Sequence, residues 1–170
     1  MQSMVFERTK NDVTEYAYVF AGTNCWEDGV EDLTQLVGVT TQISQALENA
    51  RALVNFVGIE NLTFGGHSLG GKLAAASSMA TGCEAMTFNP AALSPFTMKR
   101  FGLKDSGKII NYISSTPEIY GTNKYVDPLT VLQVGLGFGA DGSYIPVITG
   151  FRPTHSIDEI VKALAPIKSE

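Results

Sequence analysis

The sequence predicts an α/β fold, a mostly parallel central sheet with helices on both faces, and three observations predict it. A β-type segment, residues 62–64, runs into glycines, a serine and then a helix-forming run over residues 72–80. A long amphipathic stretch, residues 40–57, comes directly before that segment. Further strand-like segments near residues 84–89, 108–114 and 144–149 are separated by helical or loop-like runs. Strands that alternate with helices are the pattern of a parallel sheet built from crossover units. All 170 residues are read as a single domain, long enough to bury a substantial core.

In chain order, residues 4–9 and 14–21 are rich in Val, Phe, Tyr and Thr, with turn-like Lys10-Asn11-Asp12 between them. They predict an antiparallel hairpin. The second strand turns continuously apolar at its end, as a central strand does, and runs into Ala21-Gly22-Thr23. Over residues 24–38 there is only weak helical periodicity, and the single tryptophan, Trp26, reads as packing at the domain edge or, alternatively, as a wall or flap over an acyl pocket. Residues 40–57 place Ile43, Ala46, Leu47, Ala50, Leu53, Val54 and Val57 on one helical stripe, with Thr40 or Thr41 as the cap and Gly58 as the end.

The helix after Ser68 is Ala- and Ser-rich, suited to close packing on the sheet, and stops at Gly82. Ser94-Pro95 reads as cap plus first helical residue of a short helix ending at Gly102. A polar loop over residues 115–125 carries Glu118, and Asp127 follows it. Gly135, Gly137 and Gly139 read as a glycine-rich turn, because no lysine and no helix follow as a phosphate loop requires. The last helix opens at Ser156, with Glu159 completing a capping box and Ile157, Ile160, Val161 and Leu164 forming an apolar stripe.

Composition excludes some functions. A net charge of −5 argues against binding nucleic acid, whose affinity rests on Lys and Arg neutralising phosphates. No apolar stretch approaches the ~20 residues of a membrane span. The N-terminus lacks the basic and apolar regions of a signal peptide, which does not assign a compartment, since the chain can belong to a longer polypeptide. Two histidines and two cysteines, Cys25 and Cys83, without metal-ligand spacing predict no metal site, and no cofactor is expected.

Gly66-His67-Ser68-Leu69-Gly70 fits G-x-S-x-G, the turn that holds a nucleophilic serine between a strand and a helix. Such a turn strains the serine backbone, and side chains two positions before and after would clash across it. The hydroxyl then stands clear of the sheet, and the Leu69 N–H, at the helix start, points where an oxyanion forms. Of the two histidines, His67 flanks the serine inside the turn and does not easily reach its hydroxyl. His155 sits on the loop before a capped helix, beyond the last strand, and is the predicted base.

These residues resemble the class 3 lipase family of α/β-hydrolases over most of the chain. Phe20-Ala21-Gly22-Thr23 looks like that family's F-R-G-T, with alanine in place of arginine. Gly66-His67-Ser68-Leu69-Gly70-Gly71 matches its G-H-S-L-G-G, and Phe88-Asn89-Pro90-Ala91 and His155 lie where family segments lie. A looser likeness, through residues 87–93 and 127–133, is to lipase domains of bacterial secreted toxins and type VI secretion phospholipase effectors. The chain is shorter than typical members, so leading elements and a full lid are expected to be absent.

The resemblance implies hydrolysis of lipid carboxylic esters, as a lipase or phospholipase A, at a membrane surface. It implies an acyl-enzyme on Ser68, His155 as base, and an oxyanion held by Leu69 and Thr23. For the acid, Asp127 and Glu118 both follow the 109–114 strand. Asp127 matches the effector-like phrase and is favoured, while Glu118 lies nearer the strand end. A thioesterase or peptidase would use the same residues, and a non-catalytic binding domain would lack one of them.

Overall fold

The computed structural model describes residues 1–22, 35–104, 108–117, 125–135 and 139–165, the side chains of residues 35–39 excepted. One six-stranded sheet is ordered β1 (Ser3–Lys10), β2 (Val13–Phe20), β3 (Leu62–His67), β4 (Glu84–Phe88), β5 (Ile109–Ser115), β6 (Ser143–Ile148). Only the β1–β2 pair is antiparallel; every later pair is parallel. The expected mostly parallel α/β architecture is therefore present.

The hairpin turns on Asn11 and Asp12, both at positive φ (51° and 62°). A two-residue turn of type I′ needs that conformation at both positions, and Asn and Asp tolerate it best after glycine. β1 is an edge strand, exposed along its length, and Glu7, Arg8 and Lys10 keep that edge charged.

Helix α1 spans Gln35–Val57. It starts earlier than the periodicity predicts, so Thr40 and Thr41 lie inside it and do not cap it. Its first turns continue through Gln35-Leu36-Val37, and Gly38 does not break them. The end is as expected: Gly58 is at φ 87°, its N–H reaches Val54 O at 2.9 Å, and Asn61 Nδ2 donates to Val57 O.

Tyr18, Phe20, Leu62 and Phe64 form one aromatic and aliphatic face of the sheet, the Tyr18 and Phe20 rings 4.5 Å apart. Ile43, Ala46, Leu47 and Ala50 of α1 cover it together with α2 (Leu69–Thr81). The small residues Ala74, Ala75 and Ala76 are all buried, which lets α2 lie close to the strands. Ser77 and Ser78 are fully buried too, and each hydroxyl donates to a backbone carbonyl, Leu73 O and Cys83 O.

Helix α3 (Pro95–Phe101) is capped by the Ser94 hydroxyl, which accepts from Thr97 N, and ends at left-handed Gly102, both as the sequence predicts. Helix α4 (Pro128–Gly135) was not foreseen. Helix α5 (Ile157–Leu164) is anchored against β5 and β6 by fully buried Ile160. The expected capping box at its start does not form. The Thr154 hydroxyl takes the Ser156 N–H at 3.2 Å, and Glu159 turns instead to Lys162 at 2.8 Å.

Candidate active site

Ser68 stands at the carboxyl end of β3 with φ 56° and ψ −121°, a conformation that strains any residue with a Cβ. The surroundings over-determine it. Its N–H donates to Phe88 O at 3.1 Å, and its carbonyl accepts from Ala91 N at 3.0 Å and Lys72 N at 3.2 Å. The flanking glycines are steric necessities. A Cβ on Gly66 would overlap the Gly70 carbonyl, one on Gly70 would overlap the Phe20 carbonyl, and one on Gly71 would come within 2.8 Å of the Pro90 Cβ. The clash across the turn that the motif predicts is thus present in the backbone geometry.

The loop after β4 is itself held from two sides. Asn89, fully buried at φ 41°, donates from its amide to Ser114 Oγ and accepts from Ser114 N, at 3.0 and 2.9 Å. Gln133 of α4 accepts from Ala92 N at 2.6 Å and donates to Pro90 O at 3.3 Å. The two phrases singled out in the sequence, residues 87–93 and 127–133, are therefore in direct contact through buried Gln133.

Asp127 is brought to the sheet end by backbone pairing. Val126 N donates to Ser114 O at 3.0 Å at the end of β5, and Thr154 N donates to Val126 O at 3.0 Å. That second bond sets His155 beside Asp127. The His155 Nδ1 and Asp127 Oδ1 atoms are 2.5 Å apart. The other carboxylate oxygen accepts from Thr130 N at 2.7 Å, which makes Asp127 the N-cap of α4. Asp127 is fully buried, with both oxygens engaged. An ionised carboxylate can only accept, so the imidazole donates from Nδ1, and its Nε2 carries the lone pair of a base when the ring is neutral.

His67 belongs to this cluster, which sequence reasoning missed. Its Nε2 lies 2.6 Å from the His155 carbonyl, and the two rings are 4.7 Å apart. A carbonyl cannot donate, so His67 donates through Nε2–H. The bond ties the backbone carbonyl of residue 155 to the side chain of residue 67, which precedes Ser68 in sequence. Burial lowers the His67 pKa, and the neighbouring His155 pushes it the same way; the hydrogen bond and Asp127 oppose them.

That direction has a consequence for stability. The unfolded chain takes up a proton at His67 that the fold disfavours. The contribution is complete above the unfolded value of ~6.5 and is lost as pH falls through the lower folded value. Urea unfolding from about pH 7.5 to about pH 5.5 should show stability falling, and His67→Gln should flatten that slope. An unchanged slope in His67→Gln would count against the assignment.

Leu69 is the first residue of α2, so its N–H has no acceptor within the helix. Gly22, two residues beyond β2, lies against the turn: a Cβ there would come within 3.5 Å of the Ser68 Cβ. Thr23 and Glu118 lie outside the described residues, as do Trp26 and Cys25. Cys83 is a buried free thiol just before β4. No helix among the described residues is long and apolar enough to cross a membrane.

A family model described as phospholipase-like, the Tle-like phospholipase domain, matches residues 1–167. The effector-type likeness read from the sequence agrees with that match. The chain is also 29% identical over 172 aligned residues to an extracellular phospholipase A1 of Serratia liquefaciens. The alignment covers 89% of this chain and 53% of that protein, so the chain spans about half the length of the curated relative it matches.

Proposed function

Since the chain belongs to the Tle-like phospholipase domain family, we propose that it hydrolyses an acyl ester of a phospholipid through an acyl-enzyme on Ser68. The observation that carries this reading is the His155–Asp127 pair at 2.5 Å, together with the His67–His155 bond that links it to the residue before the strained serine. Ser68 Oγ attacks the ester carbonyl and His155 Nε2 takes its proton. The tetrahedral oxyanion is held by the Leu69 N–H and by Thr23. The carbonyl–oxygen bond to glycerol then breaks, and the leaving alkoxide takes the proton from the imidazolium. Water, deprotonated by the same nitrogen, attacks the acyl-serine and releases a fatty acid and free Ser68. Asp127 holds the imidazole in the required tautomer and stabilises its charged form throughout.

The relative is named a phospholipase A1, and the same acyl-position class is proposed for this chain. The test is product analysis on a phospholipid with different acyl chains at its two glycerol positions. One fatty acid and one lysophospholipid are the expected products, together with covalent labelling of Ser68 by a fluorophosphonate. A labelled but inert protein would mean an armed serine acting on another acyl class. Absence of labelling would overturn the reading.

A further inference from the structure

We propose that the outward face of α4 is the surface by which this protein docks on a phospholipid bilayer, a partner assignment that rests on the phospholipase reading above. Helix α4 is Pro-Leu-Thr-Val-Leu-Gln-Val-Gly and carries no charge. Leu129, Thr130 and Gln133 turn inward and are buried. Val131, Leu132 and Val134 are 52%, 46% and 54% exposed, where a helix facing water carries charged residues. The feature is wider than one helix: from Pro128 to Phe151 the sequence contains a single ionisable acid or base of the Asp, Glu, Lys, Arg and His types, Asp141.

The occupant follows from where this face lies. The helix begins at Asp127, the residue bonded to His155, and Gln133 ties it to the loop that holds the Ser68 carbonyl. A surface engaged by α4 is therefore presented to the serine at the same sheet end. Exposed Phe151, beyond β6, and Phe96, opening α3 after the same loop, lie at that end too. The substrate class of the family is a lipid, and an uncharged helix with an exposed apolar face beside a lipid-cleaving site suits a bilayer better than a charged partner. With a net charge of −5 the chain gains nothing from anionic headgroups, so apolar insertion and not electrostatic attraction drives the docking.

The experiment uses Ser68→Ala protein, which removes the proposed nucleophile, and phosphatidylcholine vesicles in a sedimentation assay. The Ser68→Ala protein should bind the vesicles with little dependence on salt. Adding Leu132→Glu or Val134→Glu should weaken partitioning at least about tenfold, and the milder Leu132→Ser should weaken it less. Phe56→Ser, which removes an exposed aromatic from the far end of α1, should leave binding unchanged. Failure of the Ser68→Ala protein to bind, or undiminished binding by the α4 variants, overturns the proposal. So does a stable dimer that the α4 substitutions split, which would make this face an interface between copies. Binding is read without hydrolysis. A protein that docks through α4 yet cleaves no phospholipid would refute the proposed function while upholding the docking surface.

Discussion

Ser68→Ala is expected to remove phospholipid hydrolysis, with a fall in kcat on the order of 10⁴- to 10⁶-fold, the range seen when a serine nucleophile is deleted. The fold should survive, because alanine keeps the Cβ and so makes the same steric demand at φ 56°. Ser68→Gly should be equally inactive but more resistant to urea by about 1 kcal/mol, since glycine reaches that conformation without strain. Together the two variants separate chemistry from folding. If Ser68→Ala retained activity within about tenfold of wild type, the acyl-enzyme route would be lost, because the oxyanion donors alone supply far less than that. If Ser68→Gly were no more stable than Ser68→Ala, the turn would hold no strain at this residue.

Asp127→Asn is expected to cost about 10⁴-fold in kcat with little loss of stability. The reasoning depends on the two bonds of the carboxylate. The bond from Thr130 N needs an acceptor, so the asparagine carbonyl must face the α4 backbone, and asparagine caps a helix about as well as aspartate. Its amide nitrogen is then left facing His155 Nδ1. An amide N–H can only donate, which forces the imidazole to accept at Nδ1 and to carry its proton on Nε2. The base is then in the wrong tautomer while the cap remains. Measured kcat and the urea midpoint should therefore diverge in this variant. Glu118→Gln, at the other acidic candidate, should change kcat by less than about tenfold. The opposite ranking of the two variants would transfer the role of the acid to Glu118.

The difference between Asp127 and Glu118 also shows where sequence reasoning stopped. Order along the chain allowed both, because it constrains only which strand the acid follows. The choice of Asp127 relied on a familiar phrase. The structure supplies a physical basis for that phrase: Asp127 precedes Pro128 as a cap precedes the first residue of a helix. The same cap-plus-proline signal opens α3 at Ser94-Pro95. At Asp127-Pro128 no amphipathic stripe follows the signal to mark a helix. With Val131, Leu132 and Val134 outward and Leu129 inward, no 3.6-residue periodicity marks the helix.

His67 and Gln133 were hidden for a different reason. Its position inside the turn keeps His67 from easily reaching the serine hydroxyl. Its partner is instead a carbonyl 88 residues away in sequence. Gln133 is a polar residue in an apolar run, and its two bonds go to backbone atoms of a loop more than 40 residues earlier. Local pattern carries no information about such partners. The failed capping box at Ser156 is the converse case, in which a correct local pattern lost to a nearer competitor, the Thr154 hydroxyl.

What the sequence by itself determined were features with a local cause. The Asn11-Asp12 turn, the Ser94-Pro95 cap, the glycine stops at residues 58, 82 and 102, and the G-x-S-x-G turn all follow from the backbone freedom or hydrogen-bonding capacity of residues in place. The alternation of strand and helix determined the parallel sheet, because crossover connections leave few alternatives. The tertiary structure alone decided how the pieces converge. Backbone pairing of Ser114 with Val126, and of Val126 with Thr154, sets Asp127 against His155, and His67 ties that pair to the turn. Those contacts depend on register across three strands and two loops, a long-range property that no window of sequence contains.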